Sequence, residues 1–138
     1  MWLANSDYSL DPDSKLGLAK PKYDKVVEKA SADTVKYSKE LFASYDFLGS
    51  YYLTVKPVDL DKATKIYQKI IALDPKNKTN LMKGYSGLAL VAAKKKNYAG
   101  ARDLFKTLLT LDPGNKDYQK AEETFEKQVK AVEAAANQ

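Results

Sequence analysis

The 138 residues contain no Cys and no His, which removes most reactive chemistry at once. No thiolate nucleophile, zinc–thiolate centre or imidazole general base can be built from this chain. Carboxylates remain, paired at Asp11/Asp13, Asp59/Asp61 and Glu122-Glu123. Two carboxylates aimed at one point can move a proton or hold a hard cation. Side chains at i and i+1 on a helix do not face each other, however. Asp11-x-Asp13-x-Lys15 lacks the later ligands and closing Glu of a calcium loop. Capping and turn roles account for these acids. No glycine-rich phosphate loop is present. Lys94-Lys95-Lys96 falls where a helix is expected to end, and cations suit that pole of the helix dipole. The net charge is +5, yet of the 23 basic residues only Arg102 is Arg. Nucleic-acid surfaces enrich Arg for phosphate forks and base edges, so the lysines read as solvated helix faces and no nucleic-acid partner is expected. Nothing here assembles a catalytic, cofactor or metal site, and the expected protein is not an enzyme.

The elements that would position any working surface are helical. Hydrophobic residues make up 44% and charged residues 30% of the chain, ordinary for a soluble globular protein of one domain. Six Gly and five Pro leave long uninterrupted segments. The longest apolar run, Leu88 to Ala93, is far short of the roughly 20 residues of a membrane span. Six helices are expected. A short apolar segment, Trp2 to Leu10, precedes a turn at Asp11-Pro12-Asp13-Ser14. Tyr23, Val26, Val27 and Ala30 mark one face of a helix over 19–30. Asp33 is placed to cap a long helix from about Thr34 to Val55, with Tyr37, Leu41, Tyr45, Leu48 and Tyr52 on its apolar face and Pro57 beyond its end. Asp59 caps a shorter helix that closes at Asp74-Pro75. After a link at 77–80, a helix over about 80–95 carries Leu81, Tyr85, Leu88, Ala89 and Ala92. Asn97 starts its partner, which ends at the turn Asp112-Pro113-Gly114-Asn115. The last helix, about 116–135, has Tyr118, Ala121, Phe125, Val129 and Val132 on its apolar side.

These elements repeat. Tyr45-x-x-Leu48-Gly49-x-x-Tyr52, then Ala63-x-x-x-Tyr67 and Pro75, recur 38 to 40 residues later as Tyr85-x-x-Leu88-Ala89-x-x-Ala92, Ala101-x-x-x-Phe105 and Pro113. Ile71-Ala72-Leu73-Asp74-Pro75 closes the first unit and Leu109-Thr110-Leu111-Asp112-Pro113 the second. A repeat of this size with these landmarks resembles the tetratricopeptide repeat family. The resemblance implies an all-α fold: antiparallel helical hairpins stacked as a short right-handed solenoid, with a closing C-terminal helix. It divides a single domain, 1–138, into a truncated or degenerate hairpin (1–30), two repeats (37–75 and 81–113) and a capping helix (116–135). Gly49 and Ala63, and in the second unit Ala89 and Ala101, would be small so that two helices can cross. Tyr67 and Phe105 would fill the space beside each crossing. Two features depart from the family pattern. The loop before Ala63 is two residues longer than its counterpart, and the linker after Pro75 is longer than usual, which predicts a local irregularity in the superhelix.

In this family the first helix of each hairpin lines a concave surface that receives partners. The resemblance places Asp46, Ser50, Leu53 and Thr54 there in the first unit, and Lys83, Ser86, Leu90 and Lys94 in the second. A well-known use of the family is a clamp of Lys and Asn that grips the carboxylate end of a chaperone tail. The matching positions here carry Asp46, Ser50, Ser86 and Leu90, so that specificity is not expected. The implied function is a non-catalytic scaffold binding a protein or peptide, with a structural or self-association module as the alternative. Met1-Trp2-Leu3-Ala4-Asn5 reads as an entry in mid-helix, so a segment of a larger repeat protein is expected. Its uncovered apolar edge would form a weak homodimer through the N-terminal hairpin.

Overall fold

Asparagine and aspartate side chains set where the helices begin. In the computed structural model, which describes residues 19–137, the Asp59 side chain accepts from the Lys62 N–H, Asn77 from Asn80, Asn97 from Gly100 and Asn115 from Tyr118, all at 3.0–3.1 Å. Each cap satisfies an orphan donor of a first helical turn, at about 1 kcal/mol apiece. Six α-helices and no strand occur among the described residues: α1 Lys20–Ala30, α2 Ser38–Thr54, α3 Leu60–Leu73, α4 Lys78–Lys94, α5 Tyr98–Leu111 and α6 Lys116–Ala136. The segment expected at Trp2–Leu10, the turn and acid pair at Asp11–Ser14, and the N-terminal dimer edge lie outside the described residues.

The sequence repeat becomes a repeat of lengths. α2 and α4 are both 17 residues, and α3 and α5 are both 14. Each helix packs on the next in the chain, and α2 also touches α4. This nearest-neighbour packing is that of an α-solenoid. One buried cluster joins α1 to α4 through Ala30, Leu41, Tyr45, Ala63, Ile70 and Val91. Ala63, Ala89 and Ala101 are wholly buried, so the small residues stand where the crossings require them.

Several boundaries differ from expectation. α2 starts at Ser38, not near Thr34. The Asp33 carboxylate instead accepts from the Lys36 N–H at 3.0 Å and organises a turn. The long linker after Pro75 is not irregular, because its extra residues wind into an additional first turn of α4, capped by Asn77 rather than starting near Asn80. The link from α3 to α4, 74–77, is then as long as the link 112–115 from α5 to α6. The two extra residues before Ala63 do remain in a loop, which the Asp59 N–H closes onto the Tyr52 carbonyl at 3.0 Å. α4 ends in a Schellman turn. The Asn97 N–H reaches the Ala92 carbonyl at 2.8 Å and the Lys96 N–H the Ala93 carbonyl at 3.0 Å, with Lys96 at φ 61° where glycine is usual. Within the lysine run, Lys95 pairs with Asp61 of α3 at 3.2 Å, an exposed contact between the first hairpin and the second.

The last helix has one wet side, as its sequence predicts, and no fully buried residue. Its 21 residues overrun the 14 of α5, by about 10 Å at 1.5 Å per residue. Tyr118, Ala121, Phe125 and Val129 are half-buried, whereas Val132 is 56% exposed and does not belong to the packed face.

Candidate partner-binding face

Two glycines that the repeat pattern does not single out control how α4 sits. A methyl group on Gly84 would run into the Ile71 side chain, and one on Gly87 into the Tyr67 ring. On the other side of that ring, a methyl on Gly49 would come within 2.7 Å of it. Tyr67, 4% exposed, is thus held between α2 and α4, and both helices approach α3 closely. The signal for Gly84 and Gly87 was legible as small residues one helical turn apart. Only the packing reveals that both face α3 rather than α5.

Because α4 can approach so closely, α2 and α4 come within 8 Å of each other, while α1 and α3, and α3 and α5, do not. Elements on the inside of a curve converge. The side on which α2 and α4 touch is termed the inner face.

Most of the residues assigned to this face are accessible, with one correction. Ser50, Thr54, Leu90 and Lys94 are exposed, and Asp46, Lys83 and Ser86 are half-buried. Leu53 is 5% exposed and packs in the core cluster with Val91, so it is not a surface residue. It lies one position before Thr54, on the side of α2 turned towards α4, and burial of its apolar surface outweighs exposure. Asp46 and Lys83 do not offer two separate charges. Their side chains meet at 3.2 Å across α2 and α4. The pair is half-exposed and adds well under about 1 kcal/mol, but it cancels charge in the middle of the face. The Thr54 hydroxyl donates to the Ser50 carbonyl at 2.8 Å. Burial pushes the Tyr67 phenol up from its ordinary value, opposed by its bond with Ser50 and aided by the Asp46 carboxylate.

Leu90 is the largest departure from a polar face, at 52% exposure. Further along, Thr79, Met82, Lys83 and Ser86 of α4 and Tyr118 of α6 line a groove of about 290 Å³. It stays open because α4 and α6 make no backbone approach within 8 Å. α6 is held instead by α5, through Phe105 stacked on Phe125 at 5.8 Å and Arg102 paired with Glu126 at 3.3 Å. Phe105 is half-buried, so it works as a stacking surface for α6 and is less enclosed than Tyr67.

Residues 82–115 match the family model described as tetratricopeptide repeat. That segment is similar to a tetratricopeptide repeat. The match begins within α4 and ends just beyond α5, so it spans the second hairpin. α2 and α3 reproduce that repeat in helix lengths, buried alanine and closing proline. No curated protein and no solved structure gives a match. Among the described residues, no three acidic side chains gather to hold a metal ion, and no helix is long and apolar enough to cross a membrane.

Proposed function

We propose that this chain is a non-catalytic scaffold whose inner face binds a protein or peptide. One observation carries the reading: a large apolar side chain, Leu90, stands 52% exposed on an inner face that otherwise presents Ser50, Thr54, Ser86, Lys94 and the Asp46–Lys83 pair. Exposed apolar surface rimmed by polar groups is typical of an interaction site. Tetratricopeptide repeats are built to present such a face, and the absence of His and Cys leaves little with which to run acid–base or nucleophilic chemistry.

The test is capture from a native extract on the immobilised chain, with bound proteins identified by mass spectrometry. Ser50→Arg, Ser86→Arg and Leu90→Asp combined should remove the specific partner while the helical circular dichroism signal stays unchanged. Capture that survives this triple variant would move the working surface to the convex side or the loops.

A further inference from the structure

The first hairpin carries a longer loop than the second. Five residues, 55–59, join α2 to α3, against three, 95–97, between α4 and α5. The Asp59 N–H, bonded to the Tyr52 carbonyl at 3.0 Å, folds the longer loop back onto the end of α2. The loop borders a cleft of about 250 Å³, lined by Lys20 of α1, Tyr51 and Tyr52 of α2, Lys56 and Asp59 of the loop and Lys62 of α3. None of these residues belongs to the set assigned to the inner face. Tyr52 is a landmark of the repeat, but Tyr51 and Lys62 are not: their counterparts in the second hairpin are Val91 and Gly100. The repeat therefore does not require what lines this cleft.

Three ammonium groups and one carboxylate line the cleft, a balance of +2. The Lys20 ammonium lies 5.8 Å from the centre of the Tyr51 ring and 5.7 Å from that of Tyr52. The Lys62 ammonium lies 5.5 Å from the centre of the same Tyr52 ring. Two like charges thus share one ring, each drawn to it by cation–π attraction, and an anion beside them relieves their repulsion. The neighbouring acids do not neutralise the group. Asp24 pairs with Lys20 at 2.6 Å but does not line the cleft. Asp61 is taken by Lys95. One Asp59 oxygen caps the Lys62 N–H at 3.0 Å, and the other is 3.9 Å from the Lys62 Nζ, a long and exposed pair that is worth little. Lys56 has no ion pair among the described residues. Lysine serves phosphate as a point charge and does not need the fork of arginine. A phosphate monoester carries about −1.5 to −2 at pH 7 and three acceptor oxygens, which matches the balance of the cleft and its three ammonium groups. A carboxylate offers less charge and one acceptor fewer.

We infer that the cleft beside the α2–α3 loop binds a phosphate monoester, its oxygens bridging Lys20, Lys56 and Lys62 and its organic part resting against Tyr51. The site is separate from the inner face, so its loss leaves the scaffold reading untouched.

The soluble probe is phenyl phosphate, which joins a phosphate monoester to a flat ring, with phenol as the uncharged control. Titration into the isotope-labelled full chain, followed by amide NMR shifts, should move the signals of residues 51–62 saturably, with a dissociation constant of about 1 mM. Phenol should not move them. Lys56→Glu combined with Lys62→Glu should weaken binding at least about tenfold. Lys69→Glu combined with Lys106→Glu makes the same change in net charge outside the cleft and should leave binding within about twofold. The second probe is a phosphatidylcholine vesicle with or without phosphatidate, whose headgroup is a phosphate monoester. Sedimentation with phosphatidate vesicles that the cleft variant loses and the control variant keeps assigns the site to a lipid headgroup. Binding of phenyl phosphate without vesicle binding assigns it to a soluble ester. Circular dichroism checks that each variant is folded. Absence of saturable binding in both arms, or equal weakening by the cleft and control variants, overturns the inference.

Discussion

Tyr67 meets α2 at Gly49 and α4 at Gly87, so a single ring spaces three helices. Its hydroxyl is tied to Ser50, at the edge of the inner face, and burial holds its phenol above the ordinary value of 10.0. The sign of the pH effect follows. The folded chain keeps this proton to higher pH than the unfolded chain does, so the neutral phenol's contribution is complete below about pH 10 and is lost as pH rises through the folded value. Urea denaturation between pH 9 and 11 should show a loss of stability that Tyr67→Phe reduces, since the variant has nothing to ionise at that place. Identical pH slopes in the two proteins would mean that the ring ionises as freely folded as unfolded.

At the scale of the helix, the hairpin register makes a contrast that denaturation can read. Ala63 is wholly buried where α3 crosses α2, and Ala99 is exposed on α5. Ala63→Leu should cost about 1–3 kcal/mol through overpacking, and Ala99→Leu less than about 0.5 kcal/mol. Equal effects would contradict the register. These positions were legible in the sequence because small residues at a fixed spacing within a repeat have one simple physical reading, close approach. The caps at Asp59 and Asn97 were legible for a similar reason, since a short side chain before an apolar period satisfies a local donor. Asp33 was misleading because the same chemistry also makes a turn, and local hydrogen bonding does not separate the two. Leu53 was misplaced because a family position fixes an angle around the helix but not how far the neighbouring helix has moved in. That distance depends on Gly84 and Gly87, in a different repeat.

At the scale of the molecule, and among the described residues, contacts run from each helix to its chain neighbour, with α2 and α4 the one pair that skips a helix. Stability is then close to a sum of local interfaces, and the helices do not share it equally. α4 touches α2, α3 and α5, whereas α6 rests on α5 alone and buries no residue fully. The groove beside α4 nonetheless borrows Tyr118 from α6, so its width depends on a helix held by a single neighbour. This gives the chain a mechanical polarity. Pulled from its two ends in an optical trap, it should yield first at the C-terminal side, α6 peeling away before the hairpins open. The first rip should match the 21 residues of α6, at about 3.5 Å for each residue released. A rip that released every helix at once would require a cooperativity that this chain of pairwise contacts does not provide.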